Sequence, residues 1–94
     1  IVADQRIARV ANGHPLMASV TGMGCTASAL SGACLAVAAP PFAAAIAAMA
    51  ITGIAGEMAA DDARGPGSFQ MHFLDALYRL DDAEVARRQK VSFA

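Results

Sequence analysis

The chain has 94 residues, a net charge of −1 and only five aromatic side chains, four Phe and one Tyr. That length holds one small domain with one modest core. The near-neutral charge, and the lack of a basic patch interleaved with aromatics, argue against partners drawn by electrostatics, nucleic acid and anionic membrane surfaces alike.

Residues 1–11 predict two short strands around a turn at Asp4-Gln5. Asn12-Gly13 marks a second turn, and Pro15 keeps His14 out of the helical region. Leu16 to Val20 reads as a short extended approach to Gly22 and Gly24, which break regular structure. A long helix is expected from about Gly24 or Cys25 to about Ala38. Pro40-Pro41 ends it and opens a second helix, to about Ala63, with Pro41 in the first turn where proline is tolerated. On this helix Phe42, Ile46 and Met49 form one stripe, Ile51, Ile54 and Met58 another, and Gly53-x-x-Gly56 a close-packing face. Gly65-Pro66-Gly67 stops the chain again. Ser68 is the expected N-cap of a third helix, with Phe69, Phe73, Leu77 and Leu80 on one face, widened by Leu74 and Tyr78. Asp81, with Glu84 three residues later, resembles a capping box for a last short helix, charged at Arg87, Arg88 and Lys90.

Apolar residues make up 56% of the chain, many of them alanine, which favours helix and close packing but buries little area per residue. No Asp, Glu, Lys or Arg occurs from Val10 to Gly56. A membrane hairpin would need two spans of roughly 20 strongly apolar residues. Here Pro40-Pro41 divides the stretch, and Ala, Gly, Ser and Thr dilute both halves. A helix pair packed into a larger soluble protein fits better.

Two cysteines, Cys25 and Cys34, fall on the first long helix. Their spacing is about 13.5 Å of helix rise, and a disulfide needs Cα atoms within about 7 Å. No internal bridge is expected, and a reduced cytoplasmic setting follows. The opening Ile-Val followed by charges gives no sign of a signal peptide. A first residue other than Met fits a chain cut from a longer one.

The Gly22-Met23-Gly24-Cys25 turn has two readings. As an anion-binding loop, its glycines let backbone N–H groups crowd together and the following helix N-terminus adds positive partial charge. Cys25 would then stand where the helix end generally favours thiolate chemistry. Alternatively it is a plain glycine turn into a helix, with an inert buried cysteine. Cys34, among Ala33, Leu35 and Val37, reads as a small buried hydrophobe. His14 and His72 are too separate to suggest a metal site. His14 has a local hydrogen-bonding role and His72 is solvated. Asp61-Asp62 and Asp81-Asp82 read as solvated charges or caps. Gly65-Pro66-Gly67-Ser68-Phe69 is either a binding loop or a helix stop followed by a new cap.

The order of three segments narrows these choices. Arg9-Val10-Ala11-Asn12-Gly13-His14-Pro15-Leu16-Met17, then Val20-Thr21-Gly22-Met23-Gly24-Cys25, then Gly65-Pro66-Gly67-Ser68-Phe69 resemble hydroxyethylthiazole kinases over nearly the whole chain. The family's usual form has Thr where this chain has Met23, a position that serves through its backbone N–H. The resemblance implies a ribokinase-like three-layer α/β/α fold. Residues 1–94 would be the C-terminal part of a single kinase domain, contributing edge strands and mostly C-terminal helices. It implies phosphorylation of the hydroxyl of 4-methyl-5-(2-hydroxyethyl)thiazole, with ATP and Mg²⁺, in thiamine biosynthesis or salvage. It makes Gly22, Met23, Gly24 and Cys25 the anion hole, Gly22 a thiazole contact and Cys25 the candidate base, where most ribokinase-like kinases place an Asp. It also implies a homotrimer with active sites between subunits. An N-terminal portion, more than half the family's length, would supply substrate-pocket residues, an ATP-contacting Arg and Thr, and most of the parallel sheet. The chain alone is therefore expected not to be a competent kinase. The competing reading, from another class, is a non-catalytic helical interaction or membrane-associated module.

Overall fold

A computed structural model describes residues 1–3, 5–37 and 40–94. The strands β1 (Val2–Ala3), β2 (Arg6–Val10) and β3 (Val91–Phe93) form a small sheet in the order β1-β2-β3. Both pairings are antiparallel, with Val2 opposite Ile7 and Arg9 opposite Ser92. The helices are α1 (Met23–Val37), α2 (Pro41–Asp62), α3 (Pro66–Arg79) and α4 (Asp82–Arg88). Gln5 turns the chain between β1 and β2 with φ +65°. Asp4, the other half of that expected turn, and Ala38, the expected end of α1, lie outside the described residues.

Helix α2 is the spine. Its alanines give it strong helix propensity, Pro41 occupies the first turn, and Ala63 leaves the helix in an extended conformation. A helix apolar on all sides must be covered on several. Accordingly α1, α3, α4, β2 and the segment before α1 all pack on it. Ala44, Ala48, Ile54, Ala55 and Ala59 are almost wholly buried. By length and hydropathy α2 would pass as a membrane span, yet 56% of its apolar window is buried within the fold. Helix α3 supplies the larger side chains. Phe69 and Phe73, with ring centroids 6.1 Å apart, sit against Ala55 and Ala59 of α2 together with Ala76. Each buried Phe contributes about 1.5–3 kcal/mol.

Several expectations need correction. Residues 15–19 form a 3-10 helix, not an extended approach. His14 is held extended (φ −148°, ψ 144°), its Nδ1 accepts from the Leu16 N–H at 3.1 Å, and Pro15 presets the first turn. Helix α3 begins at Pro66 with Gly65 as its cap. Ser68 lies inside the first turn, where its Oγ accepts from the Arg64 N–H at 2.9 Å. The buried face of α3 runs through Phe69, Phe73 and Ala76, so Leu74 and Tyr78 do not widen it and stand 55% and 92% exposed. The small Ala76 continues the stripe at helical spacing and lets α3 approach α2 closely. His72 is half-buried, not solvated. Cys34 is half-buried too, because α1 has no fully buried residue. Strand β3 has no counterpart in the sequence reading.

Helix α4 follows its expected cap. Asp81 Oδ1 accepts from the Glu84 N–H at 2.9 Å. The reciprocal half of a capping box is not made, since the Glu84 carboxylate binds Arg87 and Arg88 at 2.8 and 2.7 Å. The Arg87 hydrogen bond first, then that from Arg88, holds this carboxyl below the usual carboxylate range.

Candidate functional site

Helix α1 starts at Met23, one residue ahead of the expected start. Gly22 precedes it with φ +92°, a left-handed conformation that L side chains rarely adopt. A side chain added at Gly22 or Gly24 would meet nothing within 4 Å, so the outer surface of the loop is open. The Thr26 N–H makes the first helical bond, to the Gly22 carbonyl at 3.0 Å, and the Thr26 hydroxyl donates to the same oxygen at 3.1 Å. The N–H groups of Met23, Gly24 and Cys25 precede that bond and have no acceptor among the described residues. They are the free donors of a helix N-terminus. Cys25 is exposed on this first turn. Cys25 and Cys34 are both free thiols.

The four loop residues do not all line one cavity. A cavity of about 390 Å³ lies beside the loop, between β2, α1 and α2. Met23 and Gly24 line it, with Asn12, Met17, Thr52 and Gly53 opposite. Gly22 and Cys25 do not. His14 keeps to the local hydrogen bond expected of it.

A hydrogen-bonded node joins the end of β2 to α2 and the chain after α4; the sequence showed Asn12-Gly13 only as a turn and did not single out Glu57. Asn12 follows β2 and Glu57 sits on α2. The Asn12 amide donates from Nδ2 to both carboxylate oxygens of Glu57, at 3.2 and 3.0 Å, and to the Arg88 carbonyl at 2.9 Å. Its Oδ1 accepts from the Lys90 N–H at 2.8 Å. The Gly13 N–H, on a backbone with φ +146°, donates to Glu57 Oε2 at 3.1 Å. Hydrogen bonds to an ionised carboxylate contribute about 1.5–3 kcal/mol each when shielded from water, and the Glu57 side chain is only 18% exposed. Two glycines of the same helix complete the seat. A Cβ at Gly53 would lie 2.6 Å from the Asn12 backbone, and one at Gly56 would lie 2.5 Å from the Met17 sulfur. This bears out the reading of Gly53-x-x-Gly56 as a close-packing face. A signal for Glu57 was present: it is the first charge after the long uncharged stretch, on a helix rich in Ala.

Among the described residues no group of three or more His, Cys, Asp or Glu is gathered as a metal site would need. Mg²⁺ is therefore assigned no ligand here, and no step is drawn through it.

The family described as hydroxyethylthiazole kinase matches residues 1–83. A curated hydroxyethylthiazole kinase from Syntrophus aciditrophicus is 57% identical over 91 residues, covering 97% of this chain and 34% of that protein. One from Granulibacter bethesdensis is 59% identical over 78 residues, covering 83% of this chain and 28% of its own length. Among solved structures, a hydroxyethylthiazole kinase protein from Pyrococcus horikoshii OT3 superposes with a TM-score of 0.89 at 40% identity, over 98% of this chain and 36% of that one. The chain thus spans about a third of the length of the curated relatives it matches. The superposition gives it the α/β, ribokinase-like class of that kinase.

Proposed function

The chain belongs to the hydroxyethylthiazole kinase family, and on that premise we propose that it is the C-terminal part of an ATP-dependent kinase for the hydroxyl of 4-methyl-5-(2-hydroxyethyl)thiazole, serving thiamine biosynthesis or salvage. The observation that carries the reading is the open turn Gly22–Cys25, with three unpartnered N–H groups at the head of α1 and a thiol on the same turn.

In this mechanism the thiazole's hydroxyethyl oxygen attacks the γ-phosphorus of ATP. An O–P bond forms, the P–O bond to the β-phosphate breaks, and ADP leaves. Charge on the transferring phosphoryl oxygens falls to the N–H groups of Met23, Gly24 and Cys25, which need no reorganisation to receive it. The left-handed backbone of Gly22 leads into this turn, and its missing side chain leaves room for the thiazole. The Cys25 thiolate takes the hydroxyl proton. The transition state is loose, so that proton moves late, and placement matters more than base strength. A Cys in place of the usual Asp is compatible with this. Mg²⁺, when bound, would neutralise charge on the phosphates.

The remaining substrate-pocket and nucleotide contacts belong to the N-terminal portion of the family's length. The assembly is a homotrimer in the cytoplasm. The exposed Leu35 and Val37 of α1, 53% and 88% accessible, are apolar surface available for such contacts.

Incubation of the natural gene product containing these 94 residues with ATP, Mg²⁺ and the thiazole alcohol tests the proposal. It is expected to yield ADP and the thiazole phosphate in equal amounts. Binding of both ligands without turnover would return the chain to the non-catalytic class.

A further inference from the structure

We propose that Glu57 is a positioning residue for the Gly22–Cys25 loop, acting through Asn12 and the Gly13 amide. The inference rests on the reading of that loop as the reaction site.

The hydrogen bonds of Glu57 go to Asn12 and Gly13, not to the loop itself. It fixes the point from which the chain sets out towards it. The Gly13 N–H is tied to Glu57 Oε2 at 3.1 Å. From there each step is bonded to the previous one. The Leu16 N–H meets His14 Nδ1 at 3.1 Å, the Met17 N–H meets the His14 carbonyl at 3.0 Å, and the Val20 N–H reaches the Met17 carbonyl at 3.5 Å. Met17 also rests on Gly56, the residue before Glu57. Only Thr21 and Gly22 then separate this strut from the first residue of α1. A shift of the Gly13 amide has few soft joints in which to dissipate before it reaches Gly22.

The node demands a carboxylate. Two donors, the Gly13 N–H and Asn12 Nδ2, converge on Glu57. Both meet at Oε2, and Asn12 Nδ2 also reaches Oε1 at 3.2 Å, so a carboxylate accepts on both oxygens, whereas an amide turned to accept at Oε2 sets its NH₂ against Asn12 Nδ2. Asn12 has no freedom to flip and restore the match. Its Oδ1 is held by the Lys90 N–H at 2.8 Å and its Nδ2 by the Arg88 carbonyl at 2.9 Å. Glu57→Gln therefore leaves one donor facing another.

The test compares Glu57→Gln and Glu57→Asp with the unaltered gene product by steady-state kinetics and circular dichroism. Misplacement of reacting groups by about 1 Å costs up to about 10²-fold in rate. For folded Glu57→Gln, kcat is expected to fall at least about tenfold with KM for the thiazole within about threefold. Glu57→Asp keeps the charge, withdraws it by one methylene and should fall between. A folded Gln or Asp variant with unaltered kcat, showing only lower stability, overturns the proposal. So does failure of both variants to fold, which would make Glu57 a folding residue alone. Absence of phosphoryl transfer in the unaltered protein would instead sink the proposed function, and is read before any variant is compared.

Discussion

Cys25→Ser is expected to lower kcat for thiazole phosphorylation by about a hundredfold while changing KM for the thiazole far less. The two side chains have nearly the same shape, and Cys25 is exposed on the first turn of α1. The backbone donors at Met23, Gly24 and residue 25 are untouched by the exchange, so the phosphate cradle persists. What disappears is the capacity to hold a proton-accepting anion, since thiols ionise within reach of neutral pH and serine hydroxyls do not. Loss of a positioned base usually costs about 10²–10⁴-fold. The lower end applies here because phosphoryl transfer leans on charge stabilisation more than on proton abstraction. Steady-state kinetics at saturating ATP provides the measurement, and an unaltered kcat removes Cys25 from the mechanism.

The second large effect concerns stability. Gly53→Ala is expected to destabilise the fold by about 1–3 kcal/mol, the usual range for overpacking. The new methyl would lie 2.6 Å from both the carbonyl carbon and oxygen of Asn12. Those atoms cannot swing aside, because the Asn12 side chain is bonded to Glu57, Arg88 and Lys90. The gain in helix propensity, about 1 kcal/mol, does not offset this. Gly56→Ala provides the contrast. Its clash is with the sulfur of Met17, the far end of a flexible side chain, so the propensity gain recovers most of the cost. Thermal unfolding should rank Gly53→Ala well below Gly56→Ala, and the reverse order would show that Asn12 is not held as described.

The parts of this fold that were legible in the sequence are those fixed by local chemistry. Pro40-Pro41, Gly65-Pro66-Gly67 and the Asp81 cap punctuate the chain within a few residues, and α2, α3 and α4 begin at or near them. The Gly53-x-x-Gly56 spacing declared a close approach, although not its partner. The failures are tertiary. Leu74 and Tyr78 satisfy the periodicity of α3 yet face outward, because the facing surface of α2 ends at the Phe69–Ala76 stripe. Strand β3 is three residues long and is defined by its pairing with β2, not by its own pattern. The 3-10 segment at Pro15–Ser19 depends on a histidine ring accepting a backbone N–H, which no hydrophobic pattern displays.

The candidate site divides in the same way. The loop residues Gly22 to Cys25 announced themselves through glycine spacing and flanking motifs. Glu57 and Asn12 did not, since 45 positions separate them in the chain. Asn12-Gly13 showed only a turn, and Glu57 only the first charge after the long uncharged stretch.

Alkylation of Cys25 is the measurement closest to the central claim, that the Gly22–Cys25 turn lies at the reaction centre. Cys34, half-buried on the same helix, is the internal control. With the thiazole and a non-hydrolysable ATP analogue bound, as verified by thermal stabilisation, modification of Cys25 by iodoacetamide should slow at least about tenfold while Cys34 is unaffected. An unchanged Cys25 rate in the ligand-bound protein would place the chemistry elsewhere.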